Sequence, residues 1–304
     1  MSARPIHQHP ILEVDPDSQF LSEPMGTKRK FWCHDDDRDR WLFKYSRPGT
    51  GEHWSEKVAS AIAALLEVPA AQVELARCRA EAGCASRSFL SADMELVHGN
   101  EILQEVDATY PVAQLGPVSK HTVRAVLSRL ESVAPSGRFE APMLTAADEF
   151  VGYLLLDALI LNTDRHHENW GVIVARGAMP RLAPSYDHAS SLGRELLDDE
   201  RVARLHGRDR RRSLEAYVQR ARSALFRGED DLKPLHPMDA FEDAARLRPA
   251  AGAFWLERLR WVGQDEISSI MNALPASMIS DVARAFATAV LAATRTRLLA
   301  TGAA

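Results

Sequence analysis

Residues 154–171 carry the stretch LLLDALILNTDRHHENWG, which decides how the rest of the chain can fold. Its first eight residues are almost entirely apolar, as in a buried helix. Eight polar or charged residues follow without a break, from Asn162 to Asn169, before an apolar, strand-like run starts at Gly171. A polar cluster beside a core is costly unless it serves a ligand or a dense hydrogen-bond network. This stretch therefore predicts a functional loop at the end of a buried helix.

Asp164 and Asn169 stand within this loop at the spacing D-x-x-x-x-N. This is the spacing of the phosphotransfer catalytic loop, in which the aspartate takes the proton of the acceptor hydroxyl and the asparagine oxygen binds Mg²⁺. Downstream, the predicted short strand 181–187 ends in a second carboxylate, Asp187, which we expect to be the bridging Mg²⁺ ligand. The spacing alone is weak, and its weight comes from the order of helix, polar loop, two short strands and aspartate.

The first third of the chain predicts a small sheet with one helix. Aromatic-rich runs indicate a hairpin, and regular apolar spacing indicates the helix that follows it. The expected elements are strands at 30–34 and 40–46, a helix at 55–67, and strands at 72–79 and 84–90 around a turn at 81–83, with 94–98 as a possible third strand of this second group. Residues 1–24 are polar and without period, so we expect a flexible arm there.

The pattern becomes mostly helical after a linker rich in proline and glycine. The helices are expected at 121–132, 146–161, 253–262, 266–273 and 277–299, and the short strands at 171–175 and 181–187. We therefore predict an α+β fold in which a small β-rich lobe at 25–118 precedes a larger helical lobe at 119–304.

Composition excludes several classes of protein. Of 304 residues, 46% are hydrophobic, and the 37 Lys and Arg against 42 Asp and Glu give a net charge of -5, which argues against a global nucleic-acid binder. The 3 cysteines contain no C-x-x-C pair, which disfavours a disulfide framework and a four-thiolate zinc site. No apolar run suits a signal peptide or a membrane span, so a cytoplasmic protein is expected.

The D-x-H-x-x-N core at Asp164, His166 and Asn169, followed by LAPSYD at 182–187, closely resembles the catalytic and metal-binding motifs of the HipA-like kinases. These are bacterial serine/threonine kinases with a two-lobed, protein-kinase-like and phosphoinositide-kinase-related fold, and several are toxins of toxin–antitoxin systems. The resemblance covers roughly residues 26–225 and implies ATP and Mg²⁺. It implies Asp164 as catalytic base, Asn169 and Asp187 as metal ligands, and His166 as the residue that orients the loop or the phosphates.

Two alternatives remain open around this loop. His166, His167 and His188 could instead line a zinc site or satisfy core hydrogen bonds. The segment 187–193 follows the metal aspartate as an activation segment does, and its serines could be autophosphorylated or could cap a turn.

A kinase also needs a lysine on the small-lobe sheet and a carboxylate on the following helix to orient it. Lys44, the one charged residue in WLFKY at 41–45, is the leading candidate. Glu56 is the expected carboxylate, Glu52 is its competitor, and either could be a simple helix N-terminal acid.

Nucleotide contacts beyond the lysine are assigned by position. Gly26 and Thr27, in PMGTK at 24–28, could present backbone N–H groups to the phosphates, although this segment lacks G-x-G-x-x-G and an ordinary turn is equally compatible. Adenine is expected near Phe89 and Leu90.

Partners follow mainly from the resemblance. We expect a protein substrate, with a translation-related protein as one candidate, and an antitoxin as a possible partner; sequence-specific nucleic-acid or membrane binding is not expected. The chain is shorter at its N-terminus than the best-known members, which argues against antitoxin binding of their type. A small-molecule or lipid kinase and a regulatory pseudokinase are the alternatives. The eight arginines within 201–222 could form a docking surface, but a solvated helix face is the favoured interpretation.

Overall fold

The computed structural model describes residues 8–22, 29–114, 116–137 and 145–301. Its described N-terminal part is built on a six-stranded sheet of order β1-β5-β6-β4-β3-β2. The strands are β1 (Ile11–Glu13), β2 (Gln19–Ser22), β3 (Lys30–His34), β4 (Arg40–Tyr45), β5 (Val73–Cys78) and β6 (Glu81–Arg87). β1 pairs in parallel with β5, and the other neighbours are antiparallel.

Alternate residues of β4 face opposite sides of this sheet, as the period of a strand requires. Trp41 and Phe43 are buried in a small apolar cluster with Phe31 of β3. Leu42 and Lys44 point the other way, into a cavity. The alternation of β4 thus places a lysine at the cavity and keeps the aromatic rings in the core.

Helix α1 (Glu52–Leu66) connects β4 to β5 and packs against the sheet. Val58, Ile62 and Leu66 recur at helical spacing and are fully buried in the main hydrophobic core. The helix ends where Glu67 adopts a left-handed conformation, with φ of 55°. Its first turn carries Glu52 and its second turn carries Glu56, and both residues are buried.

A second, three-stranded antiparallel sheet contains β7 (Met94–His98), β8 (Gly171–Ala175) and β9 (Arg181–Leu182) in that order. His98 of β7 pairs with Gly171, the residue that ends the polar loop. A Cβ atom on Gly171 would lie 2.5 Å from the Val97 carbonyl oxygen, so the strands approach this closely only with glycine there. The predicted strand at 94–98 therefore exists, but it pairs with β8 and not with the first sheet.

The helical part is arranged around α4 (Ala146–Ile160), in which every residue except Asp148 is buried. A helix that is apolar on all sides has to be surrounded, and α4 packs against α3, α7, α8 and α10. The helices that complete the described part are α2 (Gly99–Gln104), α3 (Val123–Leu130), α5 (Asp198–His206), α6 (Leu214–Arg220), α7 (Pro237–Leu247), α8 (Pro249–Trp261), α9 (Gln264–Asn272) and α10 (Asp281–Thr301). Within the described ranges, no helix has the length and apolarity that crossing a bilayer requires.

Three local predictions are wrong. Residues 11–13 and 19–22, expected in a flexible arm, are β1 and β2, because the edges of the sheet supply hydrogen-bond partners that the local sequence does not reveal. The hairpin turn falls at Arg79 and Ala80, so residues 81–83 belong to β6. The strand expected over 181–187 is only two residues long, since Pro184 lacks the N–H that would continue the ladder.

Candidate active site

The polar loop leaves α4 at a sharp bend. Leu161 adopts a left-handed conformation, with φ of 55°, and ends the helix. Asn162 then bonds in two directions: its Nδ2 donates to Asp157 Oδ1 at 2.8 Å, and its Oδ1 accepts the Asp164 N–H at 3.1 Å. Because Asn162 is fully buried, these bonds fix where Asp164 emerges from the core.

Arg165 is completely buried and holds the loop to its surroundings. Its Nε and Nη2 donate to the two oxygens of Asp157, each at 2.7 Å, in a bidentate pair. Nη1 donates to the Asn169 carbonyl at 2.6 Å, and Nη2 also donates to Ser185 Oγ at 2.9 Å. One guanidinium thus connects α4, the polar loop and the segment after β9.

Sequence reasoning missed Arg165 and Asp157. The signal was present, because Asp157 is the single charged residue in the apolar run 154–161, and a buried carboxylate needs a cationic partner or several hydrogen bonds. Nothing in the sequence, however, distinguishes Arg165 from the other polar residues of the loop as that partner.

Asp164 and Asn169 lie at the two ends of one short bend. Asn169 Nδ2 donates to the Asp164 carbonyl at 2.6 Å, so a cation at this residue would be bound by the amide oxygen. The Asp164 carboxylate is partly exposed and accepts a hydrogen bond from Ser190 Oγ at 3.3 Å. The loop therefore offers an amide oxygen at Asn169 and a carboxylate at Asp164, five residues apart in the chain.

Lys44 and Asp187 meet across the cleft. Lys44 Nζ lies 3.1 Å from Asp187 Oδ1, and its side chain is only 11% exposed. Burial alone would lower the pKa of Lys44, but the carboxylates of Asp187 and Glu56 outweigh it and raise the pKa above its usual value. Lys44 is therefore charged. Asp187 adopts a left-handed conformation, with φ of 58°, which is uncommon for a residue other than glycine.

The two candidate glutamates have different surroundings. Glu56 is buried, acts electrostatically on Lys44, and accepts the His188 backbone N–H at 3.0 Å. Glu52, by contrast, accepts from Arg194 Nη1 at 3.0 Å and from the Arg47 backbone N–H at 3.1 Å. Of these two residues, Glu56 is the one in the electrostatic environment of Lys44.

His166 lies at the wall of the cavity, where its Nδ1 accepts the Glu168 backbone N–H at 3.2 Å. His167 instead bonds Tyr110 Oη at 3.0 Å, and His188 bonds Ser185 Oγ at 2.7 Å. Burial lowers the pKa of His167 and, far more strongly, that of His188. The zinc hypothesis is not supported, since no group of three or more His, Cys, Asp or Glu suited to a metal ion occurs among the described residues.

Lys44, His166, Asn169 and Asp187 line one cavity of about 450 Å³ between the two parts of the molecule, a volume in the range of small-molecule sites. Phe89 and Leu90 line it as well. Asp164 and Glu56 are not among its lining residues: Asp164 accepts the Ser190 hydroxyl, and Glu56 accepts the His188 N–H and acts electrostatically on Lys44. Gly26 and Thr27 lie outside the described residues.

Tyr186, which the sequence did not single out, supports the floor of this cavity. Its hydroxyl donates to the Glu168 carbonyl at 2.9 Å and lies 3.0 Å from His98 Nδ1. The ring centroid of Tyr186 lies 5.9 Å from that of Phe89. Tyr186 directly precedes Asp187, and Glu168 directly precedes Asn169. The hydrogen bond from the Tyr186 hydroxyl therefore links the segment of Asp187 to the loop of Asn169.

We expect Lys44→Met to lower the turnover number by about 10²–10³-fold, the usual cost of removing one preorganised charge donor from a reaction centre. The fold should persist, because Lys44 lies at a cavity wall. Glu56→Gln should give a smaller defect of the same kind. The measurement is steady-state phosphotransfer together with circular dichroism.

Lys57→Met is the matched control for this lysine. Lys57 is also buried but pairs with Glu74 at 2.6 Å, away from the cavity. The Lys57→Met variant should be less stable than the wild type and should keep the wild-type turnover number. Unfolding of Lys44→Met would instead make Lys44 a structural residue.

A β-rich part with a cavity-facing lysine, joined to a helical part that supplies an aspartate, an asparagine and a second aspartate, defines a protein-kinase-like fold. Comparison with solved structures confirms the fold. The Helicobacter pylori proinflammatory kinase CtkA superimposes with a TM-score of 0.72 at 18% identity, covering 95% of this chain and 96% of that one. HipA of Shewanella oneidensis MR-1, solved with HipB and operator DNA, superimposes with a TM-score of 0.53 at 14% identity. This match covers 95% of this chain and 66% of the HipA chain.

The family follows from the sequence itself. The profile of the HipA-like C-terminal domain matches residues 22–246, well over half of the chain. The protein therefore belongs to the HipA-like family, as its motifs predicted. A search of curated proteins gave no match.

Proposed function

We propose that this protein is a kinase that transfers the γ-phosphoryl group of ATP, with Mg²⁺, to a serine or threonine hydroxyl of a protein. The observation that carries the proposal is the contact of Lys44 with Asp187 at 3.1 Å across the cleft, with Asn169 in the same cavity wall. A sheet lysine, a metal-binding aspartate and asparagine, and a base on the same loop are the parts that phosphoryl transfer needs.

The cavity residues fit these ligands. Asp187 and Asn169 offer a carboxylate and an amide oxygen, and Mg²⁺ accepts one or two such protein ligands while keeping waters and phosphate oxygens. When bound, Mg²⁺ neutralises charge that develops on the phosphates. Lys44 would bind phosphate oxygens from the opposite wall, and Phe89 and Leu90 provide an apolar surface for the adenine.

Asp164 is assigned as the base. The hydrogen bond from Ser190 Oγ supports this role, since the carboxylate already accepts from a hydroxyl. In the proposed step the acceptor oxygen forms a bond to the γ-phosphorus, the bond from that phosphorus to the bridging oxygen breaks, and the hydroxyl proton moves to Asp164. His166 positions the loop through its bond to the Glu168 N–H.

Two other functions use the same fold. A small-molecule or lipid kinase would keep all these residues and change only the acceptor. A pseudokinase is disfavoured, because the cationic Lys44 and the carboxylate of Glu56 are buried beside Asp187, an arrangement that a binding scaffold does not need.

The HipA structure of Shewanella oneidensis contains HipB, which makes an antitoxin a possible partner of this protein too.

The arginine-rich segment 201–222 is not a uniform solvated face. Arg201 is buried and bonds Asp198 and the Gly193 carbonyl. The exposed arginines of this segment include Arg208, Arg210, Arg211 and Arg212. We propose a cytoplasmic protein that does not bind nucleic acid in a sequence-specific way.

Incubating the protein with γ-labelled ATP, Mg²⁺ and a cell lysate tests the main proposal. A labelled protein band that is absent with Asp187→Ala is expected. Label found only in small molecules or lipids would favour the alternative acceptors. Binding of ATP without transfer to any acceptor would favour the pseudokinase.

ATP should stabilise the protein strongly with Mg²⁺ and weakly with EDTA, because a ligand that binds only the folded state shifts the unfolding equilibrium. At a hundredfold excess over Kd the stabilisation is about 2.7 kcal/mol. Asp187→Ala should remove the Mg²⁺-dependent part, whereas Asp281→Ala, which deletes an exposed carboxylate on α10, should keep it. Differential scanning fluorimetry measures the shifts, and equal shifts with and without Mg²⁺ would refute the metal assignment.

A further inference from the structure

A second cavity lies in the helical part of the molecule, between the end of α6, the loop that follows it, the start of α7 and the C-terminal part of α10. Its volume is about 360 Å³, within the range of small-molecule sites. It shares no lining residue with the active-site cavity around Lys44 and Asp187. We call it the basic pocket, after the cations that line it, which are Arg222, Arg227, Lys233 and Arg297.

Positive charge exceeds negative charge in the basic pocket. Its four cationic residues share the lining with a single aspartate. Arg227 has a partner elsewhere, since its Nε donates to Asp243 Oδ2 at 3.0 Å. In the part of the chain that the structure describes, no carboxylate forms an ion pair with Arg222, Lys233 or Arg297. Three cations in one small volume repel each other, and an anion bound between them removes that repulsion.

His236 forms the buried side of the basic pocket and is 7% exposed. Its Nδ1 accepts the Met238 N–H at 3.1 Å, and its Nε2 donates to the Val218 carbonyl at 2.7 Å. Burial lowers the pKa of His236, and the charges of Arg297 and Arg222 act in the same direction. Two arginines from different elements thus act on one buried ring, so their charges converge on the pocket.

Backbone hydrogen bonds fix the loop that carries Arg222 and Lys233. The Ser223 N–H donates to the Leu235 carbonyl at 2.8 Å, and the Leu235 N–H donates to the Leu225 carbonyl at 2.8 Å. Arg222 directly precedes Ser223, and Lys233 is two residues before Leu235. Both cations therefore stand at the closed base of this loop, where less ordering is needed when a ligand binds.

Acidic residues in the same loop limit what can bind. Glu229, Asp230 and Asp231 are exposed, and they do not line the pocket. A nucleic-acid backbone is an extended polyanion that favours a continuous basic track, and these three carboxylates interrupt such a track. A compact anion needs only the cations of the pocket itself.

We propose that the basic pocket binds a compact anion with two or more phosphate or carboxylate groups. Guanidinium groups bind both kinds of oxyanion through paired hydrogen bonds, and an ammonium group binds them as a point charge. Several negative charges are needed to balance Arg222, Lys233 and Arg297 together. Pyrophosphate and citrate represent the two chemistries. The proposed binding needs neither ATP nor the residues of the active-site cavity, so it stands or falls independently of the kinase function.

The test is isothermal titration of the full-length protein with pyrophosphate and, separately, with citrate, at low salt and without ATP or Mg²⁺. We expect one anion bound per chain. The triple variant Arg222→Gln, Lys233→Gln and Arg297→Gln should bind about tenfold more weakly or worse, because it removes the charged donors. Its circular dichroism and its phosphotransfer rate should match those of the wild type, because these residues lie outside the active-site cavity.

Two controls locate the bound anion. The triple variant Arg208→Gln, Arg210→Gln and Arg211→Gln removes the same number of charges from exposed positions that do not line the pocket. It should keep the wild-type affinity for pyrophosphate and citrate. Lys44→Met, which removes the cation of the active-site cavity, should keep that affinity as well.

Binding of pyrophosphate alone would assign a phosphorylated ligand, and binding of citrate alone a carboxylate ligand; either result supports the basic pocket. The absence of binding of both anions at millimolar concentration overturns it. An equal loss of affinity in the control triple variant would reveal a diffuse effect of surface charge, and a loss in Lys44→Met would place the anion in the active-site cavity. Both of these results overturn the proposal. Tighter binding of a short DNA duplex or an acidic peptide, lost in the pocket variant, would overturn the compact anion in favour of a macromolecular partner.

Discussion

Asp164→Asn is expected to lower the rate of phosphotransfer by about 10²–10⁴-fold, the typical contribution of a general base. Asparagine keeps the size of the side chain and can still accept the hydrogen bond from Ser190, but it cannot take a proton. The bond between Asn169 Nδ2 and the Asp164 carbonyl involves only backbone at residue 164, so the loop should keep its shape. ATP affinity should change little.

Single-turnover kinetics and calorimetric titration of ATP with Mg²⁺ measure the two quantities separately. A near wild-type rate would show that Asp164 is not the base. Loss of ATP and Mg²⁺ binding in a folded protein would place Asp164 among the ligand-binding residues, and the roles of Asp164, Asn169 and Asp187 would have to be reassigned. Asp148→Asn, at the first turn of α4 and away from the cavity, is the matched control and should keep the wild-type rate.

Arg165→Ala is expected to lower the free energy of unfolding by about 3–5 kcal/mol, the usual cost of removing one member of a buried ion pair. The buried carboxylate of Asp157 would lose its cationic partner and keep only the hydrogen bond from the Asn162 amide. The Asn169 carbonyl and the Ser185 hydroxyl would each lose the hydrogen bond that Arg165 donates. The loss should extend to function, because the same guanidinium holds the loop beside the segment that leads to Asp187.

Urea unfolding followed by fluorescence measures the change in stability. Arg260→Ala, which removes an exposed pair with Glu257 on α8, should change stability by less than about 1 kcal/mol. If Arg165→Ala behaved like Arg260→Ala, the buried pair would not be what holds the loop, and Asn162 would be the remaining candidate.

The predictions from sequence were strongest where one stretch of chain contains the whole feature. The apolar run before Asn162 was expected to be a buried helix, and α4 is one. A helix with apolar residues on all sides has no face that is stable in water, so it has to be surrounded by other elements. Lys44 was chosen as the one charged residue in WLFKY, and β4 places its side chain at the cavity. Motif spacing was enough for family membership, which the profile match confirms. The catalytic and metal-binding roles themselves stay predictions.

Local sequence did not predict features that depend on residues far away along the chain. The strand at 94–98 was expected, but its pairing with β8 joins segments separated by the whole of α2, α3 and α4. β1 and β2 are only three and four residues long, and they are strands because the sheet offers them free edges. Local sequence does not encode these pairings, since they arise from the packing of the finished sheet.

The sequence by itself determined the buried helix, the polar loop after it, and the family, because periodicity and spacing are local properties of the chain. Only the tertiary structure decided which glutamate acts on Lys44, which residue neutralises Asp157, and which serine lies on Asp164. Each of these depends on a distance between residues far apart along the chain, such as Glu56 and His188 or Ser55 and Ala189. Electrostatic and hydrogen-bond energies fall steeply with distance, so these pairings exist only once the helix, loop and sheet have packed together.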